Sequence, residues 1–117
     1  MSYFAATTTG APGAPLVVTF HGTGGDETQF HGLAQQLVPG AHVVSPRGDV
    51  SENGMNRYFR RTAEGVYDMD DLAQRTIAMA SFLKDVKAKT GAERVIGLGY
   101  SNGANILASV ALSSPDI

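Results

Sequence analysis

Three runs of apolar and β-branched residues divide the chain, and apolar and polar positions do not alternate within them. They cover residues 16–21, 41–45 and 94–98. The first two runs are typical of strands buried on both faces, as in a parallel sheet, and the third predicts a further strand. Residues 3–8 are compatible with a short leading strand.

Between these runs, apolar residues recur at helical spacing. Asp26 is expected to cap the first helix, with Gln29 completing a capping box. Asp68 is expected to cap the second, where Asp70 and Asp71 in the first turn favour the helix dipole. The third apolar run leads directly into a small-residue helix. The periodic positions are Phe30, Leu33, Ala34 and Leu37 in the first helix, Leu72, Thr76, Met79, Ala80, Leu83 and Val86 in the second, and residues 104–112 in the third.

The order of elements predicts the fold class. Strands alternate with helices, which implies an α/β protein with a parallel sheet, helices on both faces and right-handed crossovers. A long loop is expected from Arg47 to about Tyr67, and it holds four of the nine basic residues, Arg47, Arg57, Arg60 and Arg61.

Composition narrows the function classes. The 117 residues suffice for one domain, and the formal net charge of −2 argues against a nucleic-acid partner. The absence of cysteine excludes disulfides and thiolate metal sites. Neither a signal peptide at the start nor an apolar run of the roughly 18 residues of a membrane helix is present. A cytoplasmic protein without a cofactor, a bound metal or a membrane partner is expected.

The segment from Gly99 to Gly103 reads Gly-Tyr-Ser-Asn-Gly and lies between a predicted strand and a predicted helix. A G-x-S-x-G sequence in this context is typical of a nucleophile elbow, a tight turn that holds a serine hydroxyl free. Glycine at both ends removes side chains that would collide in so tight a turn. Ser101 is therefore the candidate nucleophile, and the alternative is an ordinary helix-capping serine.

A second glycine-rich segment, residues 21–25, follows the first buried strand with the sequence His-Gly-Thr-Gly-Gly. An oxyanion hole needs two N–H donors, and in hydrolases with such an elbow they come from this loop and from the residue after the nucleophile. Thr23 and Asn102 are the candidates. The alternatives are a functionless turn or a phosphate-binding loop, although the Gly-Lys-Ser/Thr ending of a P-loop is absent.

The remaining candidates are less specific. His21 could serve as a general base, but its place beside the glycine loop favours a packed, hydrogen-bonded histidine. His31 and His42 are expected to be structural or solvent-facing, and three histidines without clustered carboxylates do not indicate a metal site. Residues 54–61 combine apolar side chains that suit an acyl pocket with arginines that suit an anionic group, or they form a solvated basic loop. The substrate-binding candidates are Met55, Arg57, Tyr58, Phe59 and Tyr100.

Four blocks in order, residues 21–27, 45–48, 53–61 and 99–105, resemble the bacterial phospholipase/carboxylesterase branch of the α/β-hydrolases. The resemblance runs over nearly the whole chain. It implies a three-layer α/β-hydrolase sandwich and hydrolysis of small-molecule carboxylic esters through an acyl-enzyme. It also implies Ser101 as nucleophile, with the backbone amides of Thr23 and Asn102 as oxyanion donors.

The resemblance also implies a triad acid and histidine after the nucleophile. No histidine follows Ser101 in this sequence, and Asp116 comes too soon after the elbow helix. We therefore expect residues 1–117 to be the N-terminal part of a single α/β-hydrolase domain, truncated after the elbow helix. The alternative is an inactive half-domain that binds acyl ligands or a complementary C-terminal half. A homodimer is a further expectation, since the last strand would lie at an open sheet edge.

Overall fold

The described residues form one principal sheet, two small hairpins and three helices. The computed structural model describes residues 3–63 and 65–117. The principal sheet contains β1 (Ala5–Thr8), β2 (Leu16–Phe20), β3 (His42–Pro46) and β8 (Val95–Gly99). The hairpins are β4 (Val50–Glu52) with β5 (Met55–Arg57), and β6 (Arg61–Ala63) with β7 (Val66–Tyr67). The helices are α1 (His31–Leu37), α2 (Met69–Thr90) and α3 (Asn102–Ser113).

The principal sheet has the strand order β1-β3-β2-β8. As predicted, the three apolar runs form parallel strands, with β2 paired to both β3 and β8. The expectation of a wholly parallel sheet is wrong, because β1 pairs with β3 in the antiparallel direction. An antiparallel edge strand on a parallel sheet is common. The half-buried pattern of β1 does not encode its direction, which is set by its partner.

Helices cover both faces of the sheet, as predicted, so the architecture is a three-layer α/β sandwich. Val17 and Val43 point to one face, where they pack with Ala34 of α1. Their neighbours Val18 and Val44 point to the other face and belong to the larger cluster that includes α2 and α3. Burial on both faces explains why these strands read as uninterrupted apolar runs.

The predicted long loop from Arg47 to Tyr67 is instead two hairpins. In the first hairpin, Val50 pairs with Arg57 across a turn whose residues Asn53 and Gly54 both have positive φ, 52° and 83°. Asn-Gly is the sequence that favours a two-residue hairpin turn, because both residues tolerate left-handed backbone. The sequence therefore contains the signal for this turn. The flanking strands have only three residues each, which is too short for an alternation of apolar and polar residues to reveal the pairing.

The start of α1 differs from the prediction. The helix begins at His31, and no side chain caps it. Asp26 instead accepts hydrogen bonds from the backbone N–H and the hydroxyl of Thr28. Gln29 accepts one from the N–H of Gly22. The predicted capping box is therefore absent, because both polar side chains bind the loop that precedes the helix.

The ends of α2 agree with the prediction. The carboxylate of Asp68 accepts a hydrogen bond from the backbone N–H of Asp71, and Gly91 ends the helix in a left-handed conformation with φ 70°. Among the described residues, none of the helices is long and apolar enough to cross a membrane.

One edge of β8 is open. All five of its residues pair with β2, and no other described strand pairs with it. An apolar groove of ≈ 270 Å³ lies beside it, lined in part by Val95, Leu107, Val110 and Ile117. An uncharged open edge is a template for strand addition.

We predict concentration-dependent self-association of the chain through this edge. Size-exclusion chromatography and thermal melts over a concentration series will measure it. Leu98→Lys, which puts a charge on the edge strand, is expected to shift the chain toward monomer. Leu33→Lys on α1 is the control for a general gain in solubility, because Leu33 is exposed and lies away from this edge. A monomer at every concentration with cooperative melting would contradict the prediction.

Candidate active site

Ser101 occupies a sharp turn between β8 and α3. The strand ends at Gly99 and the helix begins at Asn102, as the sequence predicted. Ser101 has φ 54° and ψ −118°, one of two non-glycine residues with positive φ in the described ranges. Such a backbone costs about 1–3 kcal/mol and persists only where the surroundings enforce it. The side chain is exposed and has no hydrogen-bond partner among the described residues.

The glycines on either side of this turn are required by close contacts. A Cβ on Gly99 would lie 2.9 Å from the Cα of Ala104, and a Cβ on Gly103 would collide with the carbonyl oxygens of Phe20 and His21. The helix thus begins directly against the end of β2. The backbone N–H of Tyr100 also donates to the carbonyl of Phe20, at 3.2 Å.

The glycine loop after β2, residues 22–25, passes beside this turn. A Cβ on Gly22 would lie 2.9 Å from the Tyr100 ring. Neither the N–H of Thr23 nor that of Asn102 has a hydrogen-bond partner within the described part of the chain. The Asn102 N–H lies in the first turn of α3, where the helix dipole favours negative charge. An oxyanion hole requires two such donors that reach one oxygen, which makes these two unpaired N–H groups its candidates.

A short segment, residues 56–58, holds the glycine loop in place; we call it the clamp segment. Asn56 bonds the loop twice, accepting from the N–H of Gly24 and donating its side-chain amide to the carbonyl of Gly25. Arg57 donates from Nη1 to the hydroxyl of Thr23, at 2.7 Å. The first hairpin therefore fixes the backbone that carries one candidate oxyanion donor.

Tyr58, the last residue of the clamp segment, binds the other side of the site. Its backbone N–H donates to Oδ1 of Asn102, at 2.8 Å. Its hydroxyl accepts from the N–H of His21 and donates to the carbonyl of Pro46. Burial raises the pKa of this hydroxyl, so it remains protonated. The clamp segment thus joins the glycine loop, the end of β2 and the start of α3.

His21 is buried, and both ring nitrogens are engaged. Nε2 accepts a hydrogen bond from the N–H of Gly48, at 2.9 Å, and Nδ1 lies 2.7 Å from the carbonyl of Gly22. These partners define a neutral ring that carries its proton on Nδ1. Burial lowers the pKa of His21. The residue is packed and hydrogen-bonded, as the sequence favoured, and among the described residues it makes no hydrogen bond to Ser101.

The rings of the other two histidines also form hydrogen bonds with groups other than Ser101. The His31 ring lies between the hydroxyls of Thr8 and Ser45, each 2.8 Å from a ring nitrogen. Nδ1 of His42 accepts from the N–H of Gly10. Among residues 3–63 and 65–117, no group of three or more His, Cys, Asp or Glu side chains could hold a metal ion.

The candidate substrate residues divide into two groups. Met55 and Tyr100 are exposed, and Met55 lies beside the glycine loop, with its sulfur 3.6 Å from the Cβ position of Gly24. Tyr58 and Phe59 are buried in the large core cluster, and the side chain of Arg57 is only 3% exposed. The acyl-pocket interpretation of the two aromatics does not match this placement, because the hairpin turns them inward against α2 and α3.

Sequence reasoning missed two residues that shape the site. Asn56 anchors the glycine loop, and Gln29 fixes its first residue by accepting from the Gly22 N–H at 3.0 Å. Asn56 acts on a carbonyl 31 positions away, which no local pattern identifies, and Gln29 acts on an N–H seven positions away, where the sequence favoured a capping role instead.

Comparisons with known proteins bear on the fold and on the class of protein that this chain resembles. No protein-family model matches the chain. It is 44% identical over 105 residues to a Bacillus subtilis (strain 168) protein named "Putative hydrolase MhqD", which covers 87% of this chain and 52% of that protein. The solved structure of Atu2452, a protein of unknown function from Agrobacterium tumefaciens, has a TM-score of 0.93 at 55% identity, over 97% of this chain and 55% of that one.

A Bacillus cereus carboxylesterase superposes with a TM-score of 0.86 at 40% identity, over 92% of this chain and 52% of that one. The chain thus spans about half the length of the relatives it matches. Their names and structures support an α/β-hydrolase-type fold and a relationship to esterase-like hydrolases.

We predict that Asn102→Ala destabilises the fold although it leaves the α3 backbone unchanged. The substitution leaves the buried N–H of Tyr58 without its acceptor, which costs about 1–3 kcal/mol. Asn105→Ala in the same helix is the matched control, because it removes only an exposed bond to the Tyr67 hydroxyl and should cost about 0.5 kcal/mol or less. Denaturant unfolding of the three proteins measures the difference. Equal losses of unfolding free energy in the two variants would contradict the stabilising role of the bond between Tyr58 and Asn102.

We also predict that His21 resists protonation. Because burial puts its folded-state pKa below the ordinary 6.5, the folded chain binds fewer protons than the unfolded one. Its contribution to stability is present above about pH 6.5 and is lost as the pH falls toward and through the folded pKa. NMR titration should show the His21 ring changing below pH 6.5, together with the Gly48 amide that donates to it. A midpoint above the ordinary value, or an unaffected Gly48 amide, would contradict the assignment.

Proposed function

We propose that this chain carries the nucleophile and the oxyanion hole of a serine hydrolase that acts on carboxylic esters. The conformation of Ser101 is the observation that carries the proposal. An exposed serine with positive φ, at the start of a helix and beside two unpaired N–H groups, has little structural reason to exist. Similarity to proteins named hydrolase and carboxylesterase supports the same reaction class.

In the proposed mechanism, the Ser101 hydroxyl attacks the ester carbonyl carbon and loses its proton to a general base. The negative charge that develops on the carbonyl oxygen is stabilised by the N–H groups of Thr23 and Asn102. Collapse of the tetrahedral intermediate breaks the ester C–O bond, and the protonated base gives its proton to the departing alcohol, which leaves an acyl group on Ser101. Water then attacks the acyl-enzyme and loses a proton to the base, which returns that proton to the Ser101 oxygen as the acid is released. Preorganised donors favour this path because they need not reorient as the charge forms.

The proposed general base is a histidine outside this sequence, oriented by an acid that also lies outside it. The three histidines of this chain are hydrogen-bonded to other partners, and in the described structure none makes a hydrogen bond to Ser101. A complementary segment could approach over the exposed face of Ser101. Met55 and Tyr100, both exposed, are the proposed substrate contacts from this half.

A second candidate function is a half-domain that binds acyl ligands or its complementary half without turnover. The engagement of every histidine ring away from Ser101 favours it. The two functions differ in one observable, the hydrolysis that appears when the missing base is supplied.

A chimera provides the test. Residues 1–117 are joined to the remainder of the Agrobacterium tumefaciens protein, which is 55% identical over the shared region. The chimera should hydrolyse a short-chain aryl ester, and Ser101→Ala should reduce kcat by about 10⁴-fold or more, as expected for loss of a nucleophile. Ser113→Ala, an exposed serine in the same helix, is the matched control.

The 117-residue chain alone should show little hydrolysis, with a residual rate over water from its oxyanion hole. Robust hydrolysis by this chain that is lost in Ser101→Ala would return His21 to consideration as the base. A folded chimera whose activity survives Ser101→Ala would overturn the proposed mechanism, and a folded but inactive one would favour the binding function.

A further inference from the structure

A small pocket of ≈ 140 Å³ beside the first hairpin contains three guanidinium groups and one carboxylate. It is lined by Val50, Ser51, Glu52, Arg57, Arg60 and Arg61. We refer to it as the arginine pocket. Its excess of positive charge is unusual for a chain whose net charge is −2.

Arg57 forms the buried wall of this pocket. Its Nε donates to the carbonyl of Phe59 and its Nη1 to the hydroxyl of Thr23, while its Nη2 is buried without a hydrogen-bond partner. The nearest carboxylate oxygen, of Glu52, is 3.5 Å from Nε. A buried guanidinium is costly unless its donors are satisfied and its charge is balanced.

Glu52 cannot balance the cluster, because it is shared. Both of its carboxylate oxygens lie 3.1 Å from Nε of Arg61. Arg60 is exposed, and its side chain makes no ion pair among the described residues. Two further acids near this segment, Asp49 and Asp71, both pair with Arg75. Among the described residues, the lining of this small pocket therefore carries two more positive charges than negative ones.

We propose that the arginine pocket binds a small oxyanion, a carboxylate or a phosphate. Arg60 and Arg61 are accessible and supply the direct charge-assisted hydrogen bonds, and Arg57 supplies a positive field from the buried side. Planar guanidinium groups match the oxygens of both anions. The pocket's volume of ≈ 140 Å³ admits one such group.

The anion can come from two sources, a free ion or the acid group of an ester substrate. The contact from Arg57 to Thr23 puts the pocket one side chain away from the glycine loop. An anion here would therefore act on the segment that carries a candidate oxyanion donor. Binding itself does not depend on ester hydrolysis, so it can be measured when the chain has no activity.

The test is an amide NMR titration of the 117-residue chain with inorganic phosphate at constant ionic strength. Saturable shifts confined to residues 50–61 and the adjoining glycine loop are expected. Arg60→Gln and Arg61→Gln should each weaken binding by about fivefold to tenfold, because each removes a charge-assisted hydrogen bond. Arg94→Gln is the matched control, since it removes an exposed positive charge elsewhere.

Linear, unsaturable shifts in the parent chain would overturn the proposal. Equal weakening by Arg94→Gln would also overturn it, because it would indicate a general charge effect. Arg61→Gln also removes the ion pair between Arg61 and Glu52 and could disturb the hairpin. Arg60→Gln still tests the proposal in that case, because the Arg60 side chain makes no ion pair in the described structure.

A second titration distinguishes the sources. Monomethyl succinate carries an ester and a carboxylate, acetate carries the carboxylate alone, and dimethyl succinate carries only esters. Tighter binding of monomethyl succinate than of both others, weakened in Arg60→Gln, would identify the anion as part of a substrate. Binding of phosphate and acetate with no gain from the ester would identify a free anion, and failure of all the anions to bind would overturn the proposal.

Discussion

The site depends on the close approach of α3 to the end of β2. This approach leaves no room for a Cβ at Gly103, which faces the carbonyls of Phe20 and His21. With the helix seated there, the chain has too little length to leave β8 without a tight turn, and Ser101 adopts the strained backbone at its apex. The exposure of the hydroxyl is thus a consequence of backbone packing and not of any contact made by the serine side chain.

The clamp segment transmits this packing to the rest of the site. It touches the glycine loop through Asn56 and Arg57 and the start of α3 through Tyr58. Each of these bonds uses at least one side chain, so the relative placement of the two candidate donors depends on the rotamers of Asn56, Arg57 and Asn102. Supporting groups of this kind are what hold a site within the narrow geometric limits that catalysis needs.

Much of the fold could be predicted from sequence, because the features concerned are local. Uninterrupted apolar runs predicted β2, β3 and β8, and Asp68 with Gly91 predicted the ends of α2. The strand–turn–helix around Ser101 was likewise evident from its glycines. The direction of β1, the two hairpins and the inward placement of Tyr58 depend on partners far along the chain. For the same reason, the sequence could indicate Thr23 as a candidate donor but not Asn56 as its support.

The span of the clamp bonds has a consequence for the order in which the molecule folds. Residue 58 binds residue 102, 44 positions away, and residue 57 binds residue 23, 34 positions away. Contacts between distant residues close large loops and form slowly compared with helices and hairpins. We therefore expect the first hairpin to form as a local unit and to dock only once α3 has reached the sheet. The geometry around Ser101 would then be among the last parts of this chain to become ordered during folding.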